Sequence, residues 1–157
     1  MEIREFIGSR RDLLNLLLLA DEQLDMVEKY IDTGKLFVLE DGGEIKAECL
    51  VTDAESGVLE IKNIAVTPKS QGKGYGKALI DFLFRNYSNE YDYLQVGTGD
   101  SPLTVPFYER CGFVRHHVVR DFFTENYDHP IIEAGVQLRD MVFLRKALKR
   151  NNHHKNN

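Results

Sequence analysis

The stretch Gln71-Gly72-Lys73-Gly74-Tyr75-Gly76-Lys77 has the makings of an anion-binding loop. Three glycines at every second position fit neither a stable strand nor the middle of a helix. They also remove Cβ atoms where an oxyanion must come close to the backbone. Residues 59–66, before the loop, read as a strand, and residues 78–84, after it, as a helix with a wide apolar face. Strand, glycine loop and helix start aim several backbone N–H groups at one spot, where the helix N-terminus adds about half a positive charge. The chemistry available there is the holding of a phosphate.

Two familiar phosphate loops are excluded by spacing. A nucleotide P-loop needs G-x-x-x-x-G-K-[ST], and no Ser or Thr follows a correctly spaced Gly-Lys pair here. A dinucleotide fingerprint needs G-x-G-x-x-G, and the third glycine here comes one residue early. What remains is Q-x-x-G-x-G, filled by Gln71, Gly74 and Gly76. On the loop alone, a glycine-rich connector that binds nothing stays open as the alternative.

The bulk composition narrows the partners. A chain of 157 residues with 43% hydrophobic content forms one soluble domain with a real core. A net charge of −5 argues against nucleic acid, whose phosphates demand basic surface. It suits a cationic substrate, or simply solubility. Cys49 and Cys111 lack CxxC spacing, so a reducing, cytoplasmic setting and no zinc or other metal site are expected. The longest apolar run, Leu13-Leu14 and then residues 16–20, is too short to cross a bilayer, and no signal peptide is read.

The elements that must position the loop follow in order. A strand at 2–6 precedes a leucine-rich helix capped by Ser9 and ending near Ala20. A second helix covers 22–31. Residues 36–40 and 44–52 pair as a hairpin across Asp41-Gly42-Gly43, and 58–66 returns as the strand entering the loop. Beyond the glycine-loop helix come a strand at 93–97, a helix at 102–110 that Pro106 shortens or distorts, and a strand at 113–119. Residues 120–134 read as an irregular, aromatic and acidic insertion, and 137–146 as the closing strand. The domain spans 1–147, and 148–157 is a polar tail. His116 and His117 lie on a strand, so their rings are expected on opposite faces, unable to share a metal.

Loop and succession together resemble the GNAT superfamily of acetyl-CoA-dependent N-acetyltransferases. A second stretch, Phe107-Tyr108-Glu109-Arg110-Cys111-Gly112-Phe113, resembles that family's Y-E-[KR]-x-G-F segment, about thirty residues after the loop. The likeness covers nearly the whole chain. It implies an α/β (α+β) fold, a mixed, mostly antiparallel sheet of about seven strands flanked by about four helices, with central strands splayed to admit acetyl-CoA as co-substrate. The chain departs from the family at Ser101, where an Asn often stands seven residues before the tyrosine.

The resemblance also implies roles. Backbone amides of Gln71, Gly72, Lys73, Gly74, Tyr75, Gly76 and Lys77 hold the pyrophosphate, with charge from Lys73 and Lys77. The strand edge at Ile64, Ala65 and Val66 pairs with the pantetheine arm. A primary amine has a pKa near 10.4, so only about one molecule in 10³ is neutral at pH 7 and a base is useful. Glu60, eleven residues before Gln71, is the candidate base by likeness to some family members. Tyr108 matches the family's general acid. Asp121, Phe122, Phe123, Glu125 and Tyr127 in the insertion pair carboxylates with rings and suit a cationic substrate. The expected function is acetyl transfer to a small cationic amine by direct attack. A protein N-acetyltransferase and a non-catalytic acyl-CoA-binding module are the alternatives, and a homodimer fits either.

Overall fold

The computed structural model describes residues 1–148. Seven strands form one sheet in the order β1-β2-β3-β4-β5-β9-β6. The strands are β1 (Glu2–Glu5), β2 (Lys35–Asp41), β3 (Glu44–Glu55), β4 (Val58–Val66), β5 (Tyr93–Gly99), β6 (Val114–Val119) and β9 (Met141–Ala147). Short β7 (Ile132–Glu133) and β8 (Val136–Gln137) make a separate ribbon. Every neighbouring pair in the large sheet is antiparallel except β4 and β5, which run parallel.

Helices cover both faces. α3 (Tyr75–Tyr87) buries Leu79, Ile80 and Leu83 against Phe37, Cys49, Leu59 and Ile61 of the sheet. Each such side chain contributes on the order of 2 kcal/mol when taken from water. α4 (Thr104–Arg110) adds Val105 and Tyr108 to the same core. On the opposite face, α1 (Leu14–Ala20) and α2 (Leu24–Glu28) close over a smaller cluster of Leu17, Val27 and Ile31.

A bulge on β4 organises the centre. Ile61 pairs with Val51 and Asn63 with Leu50, leaving Lys62 without a partner across the ladder. One extra residue reverses the alternation of side chains and sharpens the local twist. Leu59 and Ile61 therefore join the α3 core before the bulge, and Ile64 and Val66 join it after. Asn63 is turned to the other face, where its amide reaches the Leu17 carbonyl at 3.0 Å. The β4–β5 pairing ends at Ile61↔Val96, at the same place. Beyond it the two strands part, as the resemblance requires.

Several local expectations are corrected. Ser9 caps through its backbone carbonyl, which accepts from Asp12 N–H at 3.0 Å; its hydroxyl makes no cap, and a 3-10 turn (Arg10–Leu13) precedes the shortened α1. α2 covers only half of the span read as helical. α4 starts two residues late, so Pro106 falls in its first turn, where the missing N–H costs nothing. The insertion is not irregular: it folds into α5 (Phe122–Asn126) and the β7–β8 ribbon around buried Phe123, Ile131 and Leu138. The histidine rings meet instead of diverging, with their Nδ1 atoms 2.8 Å apart, because the ladder slips between Arg115 and His117. The folded body includes Leu148, buried against the core with its N–H on the Asp92 carbonyl. The tail at 149–157, with His153 and His154, lies outside the described residues.

Candidate active site

The parting of β4 and β5 opens a cavity of about 620 Å3. Ile64, Ala65 and Val66 line one side and Val96 to Gly99 the other. Among the described residues no strand pairs with the β5-facing edge of β4 past Ile61, so its backbone groups are available to an extended ligand. Gly97 gives way to Phe143 of β9, since a Cβ there would sit 2.7 Å from its ring.

At one end stands the glycine loop. Gly74 is the N-cap of α3 with φ of 85°, and Gly72 has φ of 79°. Both are left-handed conformations that side chains resist. A Cβ on either would meet nothing within 4 Å. The space next to these two residues is thus open, and a helix N-terminus points into it. Gln71 fastens the loop by donating from Nε2 to the Val66 carbonyl at 3.2 Å, and Tyr75 donates its hydroxyl to Asp41 at 2.6 Å. Gln71, Gly72, Gly74, Tyr75, Gly76 and Lys77 all line the cavity, and Lys73 does not. Lys77 also reaches Asp81, one turn along α3, at 2.9 Å. Arg110 also lines the cavity, and its charge and that of Lys77 both act on Cys111, which puts the two cations at the same end. Open backbone amides, a helix start and two cations suit a pyrophosphate.

Tyr108 stands on the cavity wall, 7% exposed, with its ring between those of Phe107 and Phe113. Burial first, then the nearby Cys49, Cys111, Glu133 and Glu48, hold its phenol above the ordinary range. It stays protonated at all physiological pH. Ser101 is buried, and its hydroxyl accepts from the Leu103 N–H at 3.0 Å in the turn ahead of α4, which has no side-chain cap. Glu60 sits on the paired rung opposite Gln95, just before the fork, and is not among the cavity-lining residues. Its carboxylate accepts from Gln95 Nε2 at 2.8 Å and pairs with Lys62 at 3.3 Å.

The far end is acidic. Asp21, Glu22 and Glu133 line it together with Tyr127 and Phe123. Asp21 accepts the Tyr127 hydroxyl at 2.7 Å and the Tyr30 hydroxyl at 3.0 Å. Desolvation raises its pKa, and these two donors oppose the rise. His129 bridges Asp128 and Glu22, so the insertion and the α1–α2 turn close on each other. Of the insertion residues expected at the substrate, Phe123 and Tyr127 line the cavity. Asp121, Phe122 and Glu125 lie outside it: Asp121 pairs with Arg139, Phe122 packs in the insertion's own cluster, and Glu125 is exposed.

Sequence reasoning missed Asp21, Tyr30, Asn63, Glu133 and the buried Glu48. None stands in a motif, and only the fold brings them together. Glu48 is fully buried on β3 with neither carboxylate oxygen hydrogen-bonded, and desolvation drives its pKa well up. No group of three or more metal-ligating side chains occurs among the described residues, and none of their helices is long and apolar enough to cross a membrane.

A split parallel pair of strands, an amide cradle at one end and a buried phenol between define an acyl-transfer site. Comparison with known proteins agrees. The model of the acetyltransferase (GNAT) domain matches residues 32–115, just over half of the chain. YvbK of Bacillus subtilis, an uncharacterized N-acetyltransferase, is 36% identical over 135 residues, 85% of this chain and 87% of that protein. A GNAT family acetyltransferase from Elizabethkingia anophelis, solved with acetyl-CoA bound, superposes with a TM-score of 0.87 at 31% identity, covering 94% of this chain and 97% of that one. A Bacillus subtilis acetyltransferase solved with CoA gives 0.85 at 34% identity, over 94% and 98% of the two chains. The chain belongs to the GNAT family and is an acetyltransferase.

Proposed function

We propose that this enzyme moves the acetyl group of acetyl-CoA to a primary amine of a small cationic substrate by direct attack. The observation that carries the reading is the polarity of the cavity: backbone amides, Lys77 and Arg110 at one end, Asp21, Glu22 and Glu133 at the other, and Tyr108 on the wall. Gly72, Gly74 and the first turn of α3 hold the pyrophosphate, and the free edge of Ile64 to Val66 holds the arm. The two solved neighbours that carry acetyl-CoA and CoA support the choice of co-substrate.

The neutral amine attacks the thioester carbon, forming C–N as C–S breaks. Tyr108 donates a hydrogen bond to the departing sulfur. A thiol has a pKa near 8.5 and a phenol near 10, so full transfer from a tyrosine raised above that is uphill. Tyr108 therefore passes a proton on, replacing what it gives to sulfur with the one the nitrogen sheds. Glu60 is separated from the cavity by its bonds to Gln95 and Lys62, so a base role for it runs through water.

Thiol release from acetyl-CoA across a panel of amines and peptides tests the proposal. Turnover with small cations, abolished by Gly74→Val, is the expected result. Acetyl-CoA bound tightly with no acceptor turned over would make the chain a binding module, and turnover of peptides alone would make it a protein N-acetyltransferase.

A further inference from the structure

The acidic end of the cavity is built round one carboxylate whose hydrogen bonds have a fixed direction. The Leu17 carbonyl can only accept, so the atom of Asn63 that meets it at 3.0 Å is the donor Nδ2. The same Nδ2 donates to the Tyr30 hydroxyl oxygen at 2.9 Å. Tyr30 then spends its single proton on Asp21 Oδ2 at 3.0 Å, and Tyr127 spends its own on Oδ1 at 2.7 Å. Two phenols thus donate to Asp21 on the cavity wall and favour its charged form, against the desolvation that raises its pKa. A carboxylate has about four acceptor sites; the phenols take two and the Gln23 backbone N–H a third, which leaves one for a ligand. No cation makes a direct ion pair with Asp21 among the described residues: Lys62, whose charge acts on Asp21 from a distance, pairs with Glu60.

Two further oxygens on the cavity lining are unspent. Asn63 is 3% exposed and its Oδ1 has no hydrogen-bond partner; nor has the buried Oε2 of Glu133. An ammonium group brings three N–H donors and one positive charge, which answers both the spare acceptors and the unpaired carboxylate. Around them the lining is apolar, with Leu19, Phe123 and Ile131.

We propose that Asp21 seats the ammonium of the acceptor and takes its proton, and that the acceptor is a primary amine carried on an apolar body. The inference rests on the acetyl-transfer reading above. The ammonium gives one proton to the Asp21 carboxylate and becomes a neutral amine. Its lone pair forms the C–N bond while the C–S bond breaks. The second proton lost by nitrogen goes by way of Tyr108 to the thiolate, and Asp21 returns its proton to solvent. The sum is ammonium plus thioester to amide, thiol and one proton, with no oxidant or other reactant. Tyr30 and Tyr127 are positioning residues, because they act through Asp21.

The test follows thiol release from saturating acetyl-CoA with two nucleophiles, 2-phenylethylamine, an ammonium on an apolar body, and hydroxylamine, which is uncharged near neutral pH. Asp21→Asn lowers kcat/KM for phenylethylamine by about 10²-fold near neutral pH, the usual scale for a positioned base, and recovers above about pH 9. Hydroxylamine turnover changes little. Tyr127→Phe removes a donor that favours the charged carboxylate, so the acidic limb of the kcat/KM profile moves to higher pH, a shift that lost packing does not produce. Acetyl-CoA affinity by calorimetry stays at the wild-type value in both variants. A loss in Asp21→Asn that is flat with pH and equal for the two nucleophiles overturns the proposal. So does an acidic limb unmoved by Tyr127→Phe, or a pH-dependent loss of about 10²-fold in Glu60→Gln with none in Asp21→Asn. Hydroxylamine turnover without phenylethylamine turnover overturns the apolar-body assignment. Wild type that turns over no amine of any kind fails the acetyl-transfer reading itself and removes this inference with it.

Discussion

The two ends of the cavity are made differently. On the proposed reading the phosphate end is backbone: residues 71–77 are contiguous, and their amides would serve whatever side chains follow, provided Gly72 and Gly74 keep their left-handed angles. The acidic end is side chain: Asp21 comes from the α1–α2 turn, Tyr30 from the turn after α2, Asn63 from the bulged half of β4, and Tyr127 and Glu133 from the insertion. A common co-substrate is met by a local device that any sequence with the right glycines can build. The acceptor is met by residues gathered from distant segments, each free to change without disturbing the loop. Donor and acceptor recognition are therefore separable in this fold, and mutations should separate them.

The largest effect is expected at the backbone end. Gly74→Val places a β-branched side chain at φ of 85° and a Cβ in the space beside the helix start. The left-handed angle alone costs about 1–2 kcal/mol, and exclusion of the phosphate adds to it, so the dissociation constant for acetyl-CoA rises by about 10²-fold or more. Calorimetry measures it; unchanged affinity would dissolve the contrast between the two ends. Next comes Tyr108→Phe, midway between them. Folding and cofactor affinity hold, while kcat falls by about 10²-fold. An unchanged turnover number would take Tyr108 out of the chemistry.

A smaller effect is expected at Glu60, which stands outside the cavity. Through water it can matter only while the amine is charged, so Glu60→Gln loses about tenfold or less near neutral pH and nothing above about pH 9. A pH–rate profile of kcat/KM decides this, and a loss constant across the range makes Glu60 structural.

Two stability measurements sharpen the comparison further. Buried Glu48 has its pKa raised in the folded protein, so the folded state keeps a proton that the unfolded chain loses above about pH 4.5. The contribution of Glu48 to stability therefore falls as pH rises above that point. Glu48→Gln, which has no proton to lose, gains on wild type by up to about 1.4 kcal/mol per pH unit. Melting curves from acid to neutral pH should show the gap opening; a constant gap would mean that Glu48 finds a charge partner. The smallest effect belongs to His129. Its pKa is raised by hydrogen bonds to Asp128 and then Glu22, so its contribution is full below the ordinary imidazole range and is lost as pH rises through the raised value. Being exposed and screened, it should move the melting point of His129→Gln by only about one or two degrees, at acid pH and not at alkaline pH. A larger change would mean that the insertion and the α1–α2 turn depend on this bridge to stay closed.

By itself the sequence determined what is local. Gly72 and Gly74 specify a loop because only their missing side chains allow the left-handed angles and the approach, while Gly76, already in α3, leaves room for Phe107, and that information is complete within seven residues. Short apolar runs bounded by turn residues placed β2 to β5, and Asp41-Gly42-Gly43 placed the first hairpin, with Gly42 and Gly43 at φ of 63° and 81°. The tertiary structure decided what depends on register and on distance along the chain. The bulge at Lys62 turned Asn63 away from the α3 core, and no pattern in residues 58–66 announces a slip by one residue. The ladder slip before His117 brought two rings together that strict alternation keeps apart. Asp21 and Tyr127 stand 106 positions apart, and Glu48 is polar in a strand whose alternation marks only that its face is covered. Their partners follow from packing, because a side chain's environment is set by whatever the fold lays against it, and the chain carries no local mark of that.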